Sequence, residues 1–172
     1  IPIHIEDFLS VYKPINNRYW YDYSYNKISA ADLKTGRLRE TLSSFSRPYH
    51  EQELMKMSDT YLKELTKNNQ LFDDAIPTLK YLFGKYRMHI ITNGFSTEQH
   101  IKINRSGLSD FFKTITTSDD AGVTKPDPEI FNVAMTKADA QDIRAVMIGD
   151  NFDADILVAH NVGMHAIHYD YH

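Results

Sequence analysis

The chain has 172 residues, enough for one ordinary domain or for a modest core with a smaller appendage. A hydrophobic fraction of 42% and a charged fraction of 24% are those of a soluble globular protein, and no apolar run approaches the roughly 20 residues needed to span a bilayer. The net charge of −4 gives no electrostatic case for nucleic-acid or membrane-surface binding, and the absence of cysteine excludes disulfides and thiolate metal sites, in keeping with a reducing cytoplasm.

From Ile1 to Phe72 the sequence is polar, rich in Tyr and free of glycine apart from Gly36. Glu6–Tyr12 and Asn17–Tyr25 read as two short helices separated by Pro14. Ser29-Ala30-Ala31-Asp32 resembles a capping box, after which Leu33, Leu38, Leu42 and Phe45 recur at helical spacing. Leu54, Met57, Tyr61, Leu62 and Leu65 form a further stripe beyond a break at Pro48. This half is expected to be a small helical bundle.

The composition changes near Asp73, and from there strands and helices alternate. Ile76, Leu79, Leu82, Phe83 and Tyr86 share a helical face, with Pro77 in the first turn. Met88–Thr92 reads as a strand, Ser96–Arg105 as a helix closed by Gly107, and Ile115–Thr117 as a short strand. A helix follows Asp127-Pro128, with Ile130, Phe131, Ala134 and Met135 inward. Ala145–Ile148 is a strand, Asp155–Val162 a helix ended by Gly163, and His165–Tyr169 a last strand. Such alternation predicts an α/β fold, a Rossmann-like parallel sheet with helices on both faces, beside the small all-α region. A buried parallel strand needs a neighbour and helical cover, so a chain ending just after a strand reads as cut at that end.

Three segments near the carboxyl ends of these strands carry chemistry: Ile90-Ile91-Thr92-Asn93-Gly94, Thr124-Lys125-Pro126-Asp127-Pro128, and Ile148-Gly149-Asp150-Asn151-Phe152-Asp153-Ala154-Asp155. In open parallel sheets ligands collect at those ends. The Thr92 hydroxyl and the backbone N–H groups of Asn93 and Gly94 suit phosphate oxygens, and the Lys125 ammonium offsets phosphate charge. Asp150 is a hard oxygen ligand suited to Mg²⁺, and Asp155 is placed either to reach the metal shell or to brace Lys125. Each segment also has a bland reading. Thr-Asn-Gly is a common turn, Thr-Lys-Pro-Asp-Pro is a loop with a helix start, and the acidic segment is a helix N-terminus favoured by the macrodipole. A calcium loop is excluded, because no Gly stands at the sixth place and no Glu closes it.

Taken in order, the three segments resemble three of the four signatures of the haloacid dehalogenase superfamily, whose commonest members are magnesium-dependent phosphatases. The resemblance covers Asp73 to Tyr169. It implies that Thr92 and Lys125 are catalytic, that Thr92, Asn93, Gly94 and Lys125 bind the substrate phosphate, and that Asp150, with Asp155, holds Mg²⁺. The run from Ile90 through Phe95, Arg105-Ser106-Gly107-Leu108 and Phe111-Phe112 is most similar to the branch acting on nucleoside 5′-monophosphates. Residues 1–72 would be a helical cap and 73–172 the core, lacking its first strand and C-terminal end. The fourth signature, an Asp-x-Asp on a strand that supplies the nucleophile and the general acid–base, does not precede Thr92. Asp7 and Asp22 follow no apolar strand and have no acid two places on. Both ends therefore read as cut. The 172 residues alone are expected to turn over negligibly, whereas an upstream segment bearing the pair would complete an aspartyl-phosphate mechanism.

Rival readings stay open. A sugar-phosphate phosphatase or mutase shares the core. A true dehalogenase needs no metal and would leave the acidic segment without purpose. A non-catalytic phosphate-binding module would also lack the nucleophile. The expected partner is a small phosphomonoester, with no nucleic acid and no membrane, in a monomeric or homodimeric cytoplasmic protein. The aromatics Tyr19, Trp20, Tyr21, Tyr23 and Tyr25 are either half core and half surface or a nucleobase contact. His165 and His168, three apart on a strand, face opposite ways and are read as packing or surface residues rather than a shared metal site.

Overall fold

The computed structural model describes residues 3–170. The chain divides into two units, one ending at Leu65 and the other beginning at Thr66. The boundary thus falls ahead of the composition change at Asp73. The segment after it is tied into the second unit, where Asn69 Nδ2 donates to Lys102 O at 3.3 Å and Arg105 Nη1 to Thr66 O at 3.1 Å.

The first unit holds three helices, α1 (Ile5–Ser24), α2 (Ala30–Ser44) and α3 (Glu51–Leu65). The two helices expected on either side of Pro14 are one. Pro14 is exposed, so the Ser10 carbonyl it leaves without a partner can be hydrated. The helix is held on both sides of it: Tyr12 is buried against Leu38 and Leu54, and Asn16 Oδ1 accepts from Arg37 Nη1 at 2.7 Å. The capping box at Ser29 forms as read, with Asp32 N–H donating to Ser29 Oγ and Ser29 N–H to the Asp32 carboxylate. Leu33 and Leu54 are fully enclosed, whereas Met57 and Leu65 lie on the open side of α3.

The second unit starts with α4 (Ala75–Leu82), where Ile76, Leu79 and Leu82 are half-buried. Phe83 and Tyr86, expected on the same face, lie beyond the helix and are exposed: the backbone leaves the helical conformation at Phe83 (ψ 131°), and the chain turns at Gly84 (φ 82°) before Tyr86. Then come β1 (Met88–Thr92), α5 (Ser96–Arg105), β2 (Phe112–Thr117), α6 (Ser118–Ala121), α7 (Glu129–Ala138) and β3 (Val146–Gly149). A π-helical turn over Phe152–Leu157 runs into α8 (Val158–Asn161), and β4 (His165–His168) follows. The expected continuous helix from Asp155 to Val162 is therefore a wide turn capped by a short α-helix.

All observed strand pairing is parallel, as the alternation requires. Among the described residues it forms two pairs, β1 with β2 and β3 with β4, rather than one unbroken ladder. One core joins them. Ile130 and Phe131 of α7, Val158 and Ala159 of α8, and Met164 are buried together, with Ile91 of β1, Met147 of β3 and Ala166 of β4 packed against them. On the opposite face of the second pair, Val146, Ile148 and Ile167 are more than half exposed.

Candidate active site

The carboxyl ends of β1 and β3 and the loop before α7 meet through side-chain contacts within the second unit. Asn93 forms a reciprocal pair with the backbone of Lys125: Lys125 N–H donates to Asn93 Oδ1 at 2.7 Å, and Asn93 Nδ2 donates to Lys125 O at 2.8 Å. The Asn93 side chain thus fixes the lysine loop to the end of β1. At the end of β1 itself, Gly94 N–H donates to Thr92 Oγ1 at 3.0 Å. That bond uses one lone pair of the hydroxyl and leaves its proton available to a ligand oxygen. It also engages Gly94 N–H internally, so this one of the donors read from the sequence bonds to the Thr92 hydroxyl.

Lys125 Nζ lies 2.5 Å from Asp155 Oδ1, with side-chain exposures of 12% and 4%. The other Asp155 oxygen accepts from Asn151 N–H at 3.2 Å. Each oxygen thus accepts one hydrogen bond, and of the two roles read for Asp155 the bracing of Lys125 is the one these contacts form. The site depends on Gly149. A Cβ there would stand 2.6 Å from Asp155 Cγ, inside van der Waals contact, so only glycine lets the buried carboxylate lie against β3.

Asp150 is exposed, and its carboxylate has no partner among the described residues. Its donor chemistry suits a hard divalent cation, which needs only one or two carboxylates when water and substrate oxygens complete the shell. Among the described residues no group of three or more His, Asp or Glu is placed to hold a metal ion.

Two residues the sequence reading passed over also shape the site. Asp119 Oδ2 accepts from Ser96 N–H at 2.7 Å and so fixes the start of α5 directly behind the Thr92–Gly94 turn. Ser118 Oγ donates to Asn93 O at 3.3 Å. The sequence signals the corner that carries them, though not their bonds: Thr117 and Asp120 form a second capping box at the carboxyl end of β2. The Thr117 backbone N–H holds the Asp120 carboxyl below its usual range, opposed by desolvation and helped by Lys137 at 3.2 Å. His165 and His168 are both exposed. In the helical unit, the Lys27 ammonium lies over the rings of Tyr21 (4.6 Å) and Tyr25 (5.9 Å), so a cation already sits where a base would stack.

The sequence matches the haloacid dehalogenase-like hydrolases over residues 5–169. Pyrimidine 5′-nucleotidase YjjG of Escherichia coli is 31% identical over 160 residues, 92% of this chain and 68% of that protein. A glyceraldehyde 3-phosphate phosphatase of Methanothermobacter thermautotrophicus is 40% identical over 97 residues, 56% of this chain and 43% of that protein. Among solved structures, the magnesium-bound putative HAD-hydrolase YfnB of Bacillus subtilis superimposes with a TM-score of 0.87 at 28% identity, over 96% of this chain and 73% of that one. The chain spans about two thirds of the first relative and under half of the second. With the match running through both units and the Thr92, Lys125 and Asp155 segments joined at the strand ends, the chain belongs to the haloacid dehalogenase-like hydrolase family.

Proposed function

We propose that this chain supplies the phosphate- and cation-holding groups of a Mg²⁺-dependent phosphomonoesterase acting on nucleoside 5′-monophosphates. The observation that carries the reading is the Lys125 ammonium, nearly enclosed, oriented by Asp155 and fixed through its backbone to the Thr92 turn by Asn93. Lys125 neutralises charge on the transferring phosphoryl group, and the Thr92 hydroxyl donates to one of its oxygens. The Asn93–Gly94 turn adds backbone N–H donors once a phosphate oxygen replaces the internal bond from Gly94 to Thr92. Asp150 is the ligand this chain offers to Mg²⁺, which when bound screens phosphate charge as a Lewis acid. In the two-step route that the resemblance implies, a carboxylate attacks phosphorus. No described strand bears an Asp, and Asp7 and Asp22 both lie in α1, so the residues named here act in binding and charge compensation rather than in attack.

The nucleotide preference is supported by the extent of the likeness. An alignment of 160 residues with a pyrimidine nucleotidase necessarily runs through the helical unit, whereas 97 residues shared with a sugar-phosphate phosphatase need not. The higher identity of that shorter match favours a second reading, a phosphatase of small sugar phosphates. The test is Mg²⁺-dependent phosphate release by the intact protein over both substrate groups. Preferential release from pyrimidine 5′-monophosphates, lowered about 10²–10³-fold by Lys125→Ala, supports the proposal. Preferential release from triose or pentose phosphates transfers it to the second reading, and phosphate binding without release from any substrate refutes both.

A further inference from the structure

We infer that His168 is a positioning residue for Asp150. This rests on the reading above, in which the Asp150 carboxylate holds the cation. The direction of a side chain leaving the backbone is set by the two peptide planes that flank its Cα, and at Asp150 both planes are held. On one side the Gly149 carbonyl accepts from Tyr169 N–H at 2.8 Å, extending the parallel pairing of Gly149 with His168. On the other, Asn151 N–H donates to Asp155 Oδ2, and the Asp150 carbonyl lies 3.0 Å from His168 Nε2. A carbonyl oxygen only accepts, so this bond requires the proton on Nε2. The imidazole is steadied from its side by Phe152, which meets it edge-on at 5.7 Å and 73°. Of the groups fixing these two planes, His168 is the one contributed by a side chain with no other assigned role. It is exposed, and it reaches the acidic loop through the Asp150 backbone oxygen and the Phe152 ring.

A positioning role predicts weaker cation binding when the Nε2 donor is lost, and recovery when a donor of similar reach is restored. Three variants of the intact protein separate this from packing. His168→Ala removes ring and donor. His168→Phe keeps a ring against Phe152 without a donor. His168→Gln returns an N–H near the position of Nε2. Mg²⁺ is titrated calorimetrically, with far-UV circular dichroism as the control for folding. The Ala and Phe variants should bind Mg²⁺ about tenfold more weakly, the lower end of the range for groups that orient a ligand from behind, and the Gln variant should bind within about twofold of the native protein. Native-like affinity in the Phe variant, or a Gln variant as weak as Ala, overturns the inference. Loss of folding in both Ala and Phe makes His168 a structural residue and overturns it equally. Asp150→Asn distinguishes the two levels of the argument. If it binds Mg²⁺ like the native protein, the cation assignment itself falls. If it loses binding while His168→Phe does not, only the role of His168 falls.

Discussion

Replacing Asn93 by Ala removes both hydrogen bonds that fasten the lysine loop, and the two consequences separate cleanly because those bonds go to the backbone of Lys125 and not to its ammonium. Two bonds of normal length net about 1 kcal/mol each, and a part-buried N–H and C=O left without partners add to the loss, so unfolding should become easier by roughly 2–3 kcal/mol. For a chain of this size that corresponds to about 5–10 °C in Tm. The ligand effect has a different origin. A charge-assisted hydrogen bond from Lys125 to phosphate contributes on the order of 1.5–3 kcal/mol, so Lys125→Ala should weaken inorganic phosphate binding by about 10–100-fold. Asn93→Ala should reproduce a large part of that loss by letting the ammonium drift. In the double variant the Tm decrement of Asn93→Ala should persist in full, since alanine at position 125 keeps its backbone groups, while the phosphate decrement should vanish. The assay is phosphate titration by calorimetry alongside thermal unfolding for the native protein, both singles and the double. If Asn93→Ala weakens phosphate by the same factor with and without the lysine side chain, Asn93 acts on the ligand independently and the coupling argument is wrong.

Other substitutions and conditions test neighbouring parts of the account. Gly149→Ala should cost about 1–3 kcal/mol in urea denaturation, because the new Cβ meets a carboxylate pinned by Lys125 and Asn151 and unable to retreat. At Gly94→Ala the atoms nearest the new Cβ belong to the flexible Gln99 side chain, with Cγ at 2.8 Å, and that chain can swing away, so stability should stay near native. His89, hydrogen-bonded to Thr114 Oγ1 at 2.8 Å, has its pKa lowered from 6.5 by burial and then by Arg87. The unfolded chain therefore takes up this proton first as the pH falls, so stability should decline below about pH 6.5 until the folded-state pKa is passed. His89→Gln should flatten that part of the stability profile, and an unchanged slope would refute it. Asp120, with a lowered pKa, acts at more acidic pH: its support for the β2–α6 corner is present above pH 3.8 and lost below it, and Asp120→Asn should remove this acid-limb dependence.

Much of the fold was legible because local rules and tertiary packing agree. Met88–Thr92 and Ser96–Arg105 occupy the ranges read from strand composition and helix punctuation. The Ser29 capping box forms because its two bonds are made within four residues and need nothing distant. Reading failed where a distant contact overrode a local rule. Pro14 should end a helix, yet Tyr12 and Asn16 are anchored to α2 on either side of it. Phe83 and Tyr86 failed for a local reason instead: the backbone leaves the helix at Phe83, and Gly84 turns the chain before Tyr86. At the site, the residue types suggested the segments that meet, and the contacts between them came only from geometry. Asn93 was read for its backbone N–H, and its side chain holds Lys125. Asp155 had two roles open on paper, and the approach of Nζ to Oδ1 favours one. Asp119 was unreadable as a helix anchor, since its partner Ser96 lies more than twenty residues away.

The central claim is that the end of β1, the lysine loop and the acidic loop after β3 form one phosphate-and-cation pocket. A crystal structure of the protein with Mg²⁺ and inorganic phosphate tests it most directly. The account predicts phosphate within hydrogen-bond reach of Lys125 Nζ and Thr92 Oγ1, the cation on Asp150, and Asp155 still paired with Lys125. Phosphate seated away from Lys125, or a cation held without Asp150, contradicts it.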